Sequence, residues 1–395
     1  MSVDLTGETR LRFESYAEPE WGNAPDDGFL WLRAIAKARV RAGPVQIIVQ
    51  PIIGHAIGVA GGPGPVDRTG IDLLQASAEW RIPLNEGTQV SLSGGRKLIA
   101  LGSERLVGTR YGPNIPQPFD ALQVSVVSTN ARLELFDAHA VRIGPGNFDD
   151  TSSGGRRLRG GYFSVQAAQG VSFDLYWIGF RDMASRFAET TGQERRDTFG
   201  VRTFGQWQRV SWNWETMVQR GRFAGRDIRA WSQATETTVD FPDVPFAPSL
   251  RLRANIASGD KAASSKRLES FNAMFPKGRY FGELTPLGPR NIINLNPGLI
   301  LRPSRRVQLE LNAAAFWRAS PTDGIYDLAG RELRRPGANR ARHVGNLIEA
   351  SIGFDRDDGL SLAGSVGVFT AGQFMQQSGA GRVIIMVGGE ATQRF

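Results

Sequence analysis

Arginines recur two residues apart, with apolar or small residues between them, as in Arg10 and Arg12, Arg251 and Arg253, and the run Arg33, Lys37, Arg39 and Arg41. A guanidinium is always charged, forks onto carboxylates and phosphates and is weakly hydrated, so several on one surface attract carboxylated or phosphorylated solutes. Of 47 basic residues only Lys37, Lys97, Lys261, Lys266 and Lys277 are lysines, leaving 42 arginines against 39 acids and a net charge of +8. A codon preference for arginine accounts for the ratio but not for the placement. Arg10, Arg12, Arg33, Arg39, Arg251, Arg253 and Arg318 all fall on the polar phase of their runs, together with Glu8, Glu14, Glu79, Glu134, Glu215 and Glu310. Gathered on one wall, these residues would make a mixed but net positive surface.

The elements that must hold them are strands. Leu5, Gly7, Thr9, Leu11 and Phe13 alternate with Glu8, Arg10, Arg12 and Glu14, and Leu30 to Val40 alternates with the Arg33 series. The same period separates Val210, Trp212, Trp214 and Val218 from Asn213, Glu215 and Gln219, and Leu250, Leu252, Ala254 and Ile256 from Arg251, Arg253 and Asn255. Val307 to Trp317 alternates with Gln308, Glu310, Asn312 and Arg318, and the chain closes with Val383, Ile385, Val387, Ala391 and Phe395 opposite Glu390 and Arg394. Each run lasts about ten residues, the length a tilted membrane strand needs. One such run would suit a soluble half-buried sheet. Repeated from end to end, with charge on the second face and no capped run of helical period, they predict an all-β transmembrane antiparallel barrel with an arginine-rich bore.

Composition bounds the alternatives. The 47 glycines and 21 prolines suit many turns, while a mean hydropathy of −0.26 and the lack of any long apolar stretch exclude a helical membrane protein. At about 22 residues per strand and connection, the length allows roughly 16–18 strands, a number that leaves an aqueous channel. There is no cysteine and hence no thiolate nucleophile, disulfide or thiolate metal site. His55, His139 and His343 lack metal-ligand spacing, and neither Gly61-Gly62-Pro63-Gly64 nor Gly160-Gly161 follows a strand-to-helix phosphate signature. No cofactor is expected. Basic patches interleaved with exposed aromatics are absent, which argues against nucleic acid. No linker or repeat divides residues 1–395, so a single barrel domain is expected. Met1-Ser2-Val3-Asp4 enters the first strand directly, so a removed export signal is the expectation for a protein of the bacterial outer membrane.

Two segments carry a family pattern: Gly95-Arg96-Lys97-Leu98 through Gly102-Ser103-Glu104-Arg105-Leu106-Val107-Gly108, and Gly112-Pro113-Asn114 through Gln117-Pro118-Phe119-Asp120-Ala121. With Phe148-Asp149-Asp150, Ala257 to Asp260, Phe271 to Gly282, Asn291 to Gly298, Phe316-Trp317-Arg318 and Asp323 to Tyr326, they resemble the alginate export family of outer-membrane porins. The resemblance implies a monomeric barrel of 18 strands with long extracellular loops, an electropositive constriction for a polyuronate and no catalysis. Carried onto this chain, its motif positions are Arg96, Arg105, Arg251, Arg253, Arg318 and Asp323. Arg10, Arg12, Arg33 and Glu310 join them from the strand phases alone. Lys97 stands where the family has Gln and Ser103 where an Asp is common, so a local ion pair is expected to be missing.

Further expectations concern the loops and the solute. The phase of Val90 and Leu92 would turn Arg96 outward unless a bulge at Gly94-Gly95 intervenes, and the stretch from Gly94 to Pro118 is expected to leave the wall and narrow the bore. Gly259 to Pro289 has no alternation and reads equally as a solvated outer loop or one that guides solute. Trp80, Trp177, Trp212, Trp214 and Trp317, with Trp31 at the wrong parity, are candidates for a lipid girdle. The function expected is export or diffusion of an anionic polysaccharide or oligosaccharide, with a porin for small organic anions as the alternative. A barrel hydrolase using His139 with Ser125 or Ser128, or an adhesin, is the remaining class. Outer-membrane lipid and periplasmic export components are the macromolecular partners such a channel would meet.

Overall fold

The computed structural model describes residues 1–110, 112–262 and 266–395. Period-two patterning produces strands in chain order: β1 (Ser2–Ala17), β2 (Asp27–Ala42), β3 (Val45–Ile57), β4 (Thr69–Asn85), β5 (Thr88–Leu98), β6 (Pro118–Val127), β7 (Ala131–Arg142), β8 (Thr151–Ala168), β9 (Val171–Phe187) and β10 (Thr190–Trp207). They continue as β11 (Val210–Phe223), β12 (Arg226–Asp240), β13 (Ser249–Ala257), β14 (Arg267–Leu268), β15 (Ile292–Ser304), β16 (Val307–Trp317), β17 (Ile325–Tyr326), β18 (Glu332–Arg334), β19 (His343–Asp355), β20 (Leu360–Ala371) and β21 (Ile384–Arg394). β14, β17 and β18 are short pieces within long connections, and the other 18 strands pair antiparallel with their neighbours. The sheet closes where β1 pairs with β21, from Glu8↔Arg394 to Ala17↔Ile385. Two short helical turns, α1 (Pro19–Gly22) and α2 (Gln373–Ser378), lie in loops, and among the described residues no helix is long and apolar enough to cross a membrane.

The alternation maps directly onto the two faces. Leu5, Leu11, Phe13, Leu250, Leu252, Ile385 and Val387 are exposed on the outside, while Arg10, Arg12, Arg33 and Arg251 are buried inside. Trp80 and Trp214 are exposed on the outer face. Trp31 turns inward, as its parity with Arg33 requires, and packs on Phe29 with ring centroids 4.7 Å apart.

Most connections at the end carrying both termini are two to four residues, with 241–248 the longest; the other end carries 58–68, 99–117, 258–291 and 318–342. Two of these long loops fold into the barrel and zip together. Gly108 N donates to Phe275 O at 2.8 Å, Phe275 N to Leu106 O at 3.0 Å and Lys277 N to Glu104 O at 2.9 Å. Val107, Phe119 and Phe275 are fully buried at this junction. Burial of each such side chain contributes roughly 1.5–3 kcal/mol, which holds the loops within the lumen. Of the stretch expected to depart, residues 99–117 leave the wall and narrow the bore, whereas Gly94 to Leu98 and Pro118 remain paired in β5 and β6. The open question over Gly259 to Pro289 resolves inward, with Phe271, Phe281, Leu284 and Leu287 buried; residues 263–265 of that stretch lie outside the described residues.

The expected bulge at Gly94-Gly95 is not formed. Pairing runs unbroken through Gly94↔Leu122 and Arg96↔Asp120, so Arg96 shares the face of Val90 and Leu92. Gly95 instead serves a close approach: at φ +120°, a Cβ there would stand 2.3 Å from Ala76 O.

The first inward loop is pinned to the wall by Asn114, which is fully buried. Its Nδ2 donates toward Leu32 O at 3.0 Å, His55 O at 3.1 Å and Asp67 O at 2.8 Å. Arg33 Nη1 donates to its carbonyl at 3.0 Å, and Arg10 Nη2 to Pro113 O at 2.9 Å. Asn114→Ala is therefore expected to cost about 2–3 kcal/mol in urea unfolding and to raise single-channel conductance as the loop loosens; unchanged values in both measurements would show that the anchor is dispensable.

Candidate functional site

Arg12 on β1 projects inward because Leu11 and Phe13 take the lipid face, and it meets acids from three separate parts of the chain. It pairs with Glu14, with Glu390 on β21 at 3.0 Å and with Glu283 of the inward loop at 3.3 Å. Arg279 bridges Glu283 at 2.6 Å and Glu390 at 3.3 Å, completing a ring of alternating charge. Beside it Arg251 pairs with Glu310 and donates to Asn312 Oδ1 at 2.9 Å, and Arg253 holds Glu236 at 2.7 Å. The ring borders a recess of about 250 Å3 whose far side is small and polar: Ser351, Gly353, Ser365 and Gly388. A Cβ at Gly353 would meet nothing within 4 Å, so this side of the bore is open.

A second group forms where the first inward loop meets β11. Arg105 Nη1 lies 2.8 Å from both Glu215 Oε2 and Ser103 Oγ, and Ser103 donates to the same carboxylate at 2.7 Å. The ion pair expected to be missing at Ser103 is supplied by the wall. Burial is the largest influence on Arg105 and opposes its charge, but Glu215, Tyr280 and Glu236 together outweigh it and raise the guanidinium pKa. Tyr176 Oη donates to Glu215 and Tyr162 Oη to Asp174, each at 2.6 Å, while Arg202 pairs with Asp174 at 2.6 Å. Lys97, at the other departure from the family pattern, donates to Gln123 Oε1 at 2.6 Å and Ser93 Oγ at 2.7 Å.

The sequence candidates thus divide by position. Arg12, Arg251, Arg253 and Glu310 face the bore, and Arg105 belongs to the second group. Arg10 and Arg33 face the bore but anchor Pro113 and Asn114. Arg96 braces the rim through Asp120 at 2.9 Å and the carbonyl of Asp150 at 3.2 Å. Arg318 is fully buried and donates to the carbonyls of Asp323 at 3.0 Å, Asn339 at 3.0 Å and Ala341 at 3.1 Å, under the ring of Phe374. Burial lowers its pKa to about 10, with Arg340 adding to the shift. Asp323 accepts from Asp260 N at 2.7 Å and from Ser270 and Tyr326 hydroxyls at 2.6 Å, tying 318–342 to the inward loop. Glu283 and Ser351 carry no sequence signal as site residues; Arg279 had one in the Phe271 to Gly282 motif and the Gly259 to Pro289 stretch, and Glu390 had one in its shared phase with Arg394.

No Ser/His pair forms where a hydrolase was considered. Ser125 is opposite Glu134 on β7, five positions from His139, a separation of roughly 17 Å along the strand. Among the described residues, Asp72, Asp149 and Asp150 bring their carboxylates together, with ligand atoms within 4.8 Å of one another.

An 18-stranded closed barrel with polar lumen, inward loops and an apolar outer band defines an outer-membrane channel of porin type. The sequence profile described as alginate export matches residues 1–383, and the chain belongs to that family. No curated protein sequence matches the chain. Among solved structures, the Pseudomonas aeruginosa protein OccK5 (OpdH) superposes with a TM-score of 0.67 at 10% identity, covering 100% of this chain and 98% of its own. OccK2 (OpdF) of the same organism, solved in complex with glucuronate, gives 0.67 at 9% identity with 100% and 98% covered. Acinetobacter baumannii OccAB1 gives 0.66 at 9% identity with 100% and 96% covered. At such identities the likeness is one of fold. Family and fold are those of a channel rather than an enzyme.

The acidic cluster at the rim gives a pH dependence. Burial raises the Asp150 carboxyl to about 6, with Asp72 adding to the shift and the Gly144 amide opposing it. The folded state therefore binds this proton more tightly than the unfolded chain. Its stabilisation is fully present below the ordinary Asp value of about 3.9 and is lost as pH rises through the raised folded value. Asp150→Asn should shrink the fall in urea midpoint between about pH 5 and about pH 7.5; an identical fall in the variant would assign it to other groups.

Proposed function

We propose that this protein conducts anionic saccharides, polyuronates or their oligosaccharides, by passive diffusion across the outer membrane. The observation that carries the reading is the alternating arginine and glutamate ring of Arg12, Glu390, Arg279 and Glu283, with Arg251, Glu310 and Arg253 alongside, facing a recess of small residues. A uronate chain presents one carboxylate per sugar with hydroxyls between, and each carboxylate can exchange with a glutamate on a guanidinium while the hydroxyls meet Ser351 and Ser365. Acids match the arginines closely here, so attraction is local and weak at every step. Many weak sites favour transit, whereas one strong site would trap the chain. The crystal structure of OccK2 with glucuronate, a carboxylated sugar, supports passage of such solutes through a barrel of this shape.

A second reading, a porin for small organic anions, draws on the narrowing of the lumen by both inward loops. Oligouronates of increasing length in planar bilayers separate the two: block that strengthens with length supports the polymer, and equal block by a single uronate supports the small anion. Arg253 and Arg279 are the arginines to remove, since their side chains are 25% and 27% exposed, whereas Arg318 has no exposed surface. Arg253→Ala with Arg279→Ala should move the reversal potential away from anions and weaken oligouronate block several-fold, more at low salt. Retention of both properties would leave these arginines outside the permeation path and sink the mechanism.

A further inference from the structure

The outer wall carries a second set of arginines that the bore does not use. Arg157 on β8, Arg181 on β9, Arg195 on β10 and Arg222 on β11 are direct register partners, each opposite the next. All four are exposed, while the adjacent Leu158, Phe180, Arg196 and Phe223 are buried on the inner face. Two residues further toward the short-turn end, Arg159, Asp197, Arg220 and Arg229 occupy the next level across β8, β10, β11 and β12. The level below that is Gly161, Trp177, Phe199, Val218 and Trp231, the top of the apolar band.

Seven arginines therefore stand on the outside of five adjacent strands against three nearby acids. Arg157 takes Asp137 with Nε at 2.7 Å, Trp177 Nε1 donates to Asp197 at 2.9 Å and Arg222 lies 3.6 Å from Asp227. The side chains of Arg195 and Arg229 make no hydrogen bond or ion pair among the described residues. Like charges directly opposite on neighbouring strands are destabilising, and here four guanidiniums occur in an unbroken row. Arginine-rich composition does not explain the row, because the long-loop end of the wall elsewhere exposes Ile53, Ile57, Ile71, Ile348 and Val383. β8, β9 and β10 are 18, 17 and 18 residues long, more than the roughly ten that span hydrocarbon, so the wall rises through the headgroup layer at this quadrant.

We propose that this arginine field docks a phosphorylated glycolipid of the outer leaflet. The assignment rests on the long-loop end facing outward and is independent of the solute in the bore. Three interstrand spacings put the ends of the row about 14 Å apart, a span that lets separate phosphates of one headgroup bridge neighbouring strands. Guanidiniums bind phosphate oxygens bidentately, and Arg157, Arg159, Arg181 and Arg195 surround a recess of about 250 Å3 that can receive one. The acyl chains would lie below on Trp177, Phe199, Val218 and Trp231. The lipid relieves the repulsion within the row, and lipid and row stabilise each other.

Native mass spectrometry of the full chain in detergent, titrated with bis-phosphorylated lipid A, tests this. The variant carrying Arg157→Gln, Arg181→Gln, Arg195→Gln and Arg222→Gln should bind at least tenfold more weakly, and its unchanged single-channel conductance would certify the barrel. Dephosphorylated lipid A should bind the unaltered protein no better than the intact lipid binds the variant, an arm that needs no substitution. Inorganic phosphate at matched concentration should leave the complex intact. Equal binding of the two lipids, or full competition by inorganic phosphate, would overturn the proposal.

Discussion

Backbone hydrogen bonding between β1 and β21 is the constraint on which everything else depends. In hydrocarbon an unpaired N–H or C=O finds no water, so a sheet can cross only if its last strand returns to its first. Ten register pairs from Glu8↔Arg394 to Ala17↔Ile385 accomplish this. Once the wall is closed, each strand has one face in lipid and one in the lumen. A chain with 86 charged side chains must then put most of those on its strands inside or beyond the apolar band.

Charge crowded into a lumen must be compensated, and the compensation is what shapes the bore. Arg12 alone meets Glu14, Glu283 and Glu390, and Arg251 meets Glu310. Such pairing limits the positive field that arginine content alone would suggest. The same arginines do different work at different heights. Arg10 and Arg33 hold Pro113 and Asn114 against the wall, Arg105 ties its loop to Glu215, and Arg318 ends on carbonyl oxygens in the rim. Arg253 and Arg279, by contrast, keep 25% and 27% of their side chains exposed.

The outer surface shows the other consequence of closure. Where β8 to β12 rise past the hydrocarbon, the outward phase no longer has to be apolar, and it switches from Trp177, Phe199 and Val218 to arginine within four residues. The period persists while the medium changes. A strand face thus records the depth profile of the membrane as well as the inside and outside of the barrel.

Strand identity, facing and the closed all-β architecture were legible in the sequence, because a period of two is local and each ten-residue run carries it independently. The inward turn of Trp31 could be read from its parity with Arg33, and the departure of a loop between Gly94 and Pro118 from its glycines and prolines, although the strands hold Gly94 to Leu98 and Pro118 in the wall. Parity also implied that Arg96 turns outward; the bulge invoked to reverse it does not form, since Gly95 answers a close contact with Ala76 rather than a register shift. What the chain alone left open was height and partnership. Arg12 and Glu283 are 271 residues apart and meet because an aperiodic loop folds back into the lumen. Arg318 and Arg251 share a strand phase, yet one is sealed under Phe374 and the other borders the recess. Facing is a property of neighbours in sequence, whereas depth, burial and ion pairing arise only when strand stagger and loop packing bring distant segments to one level.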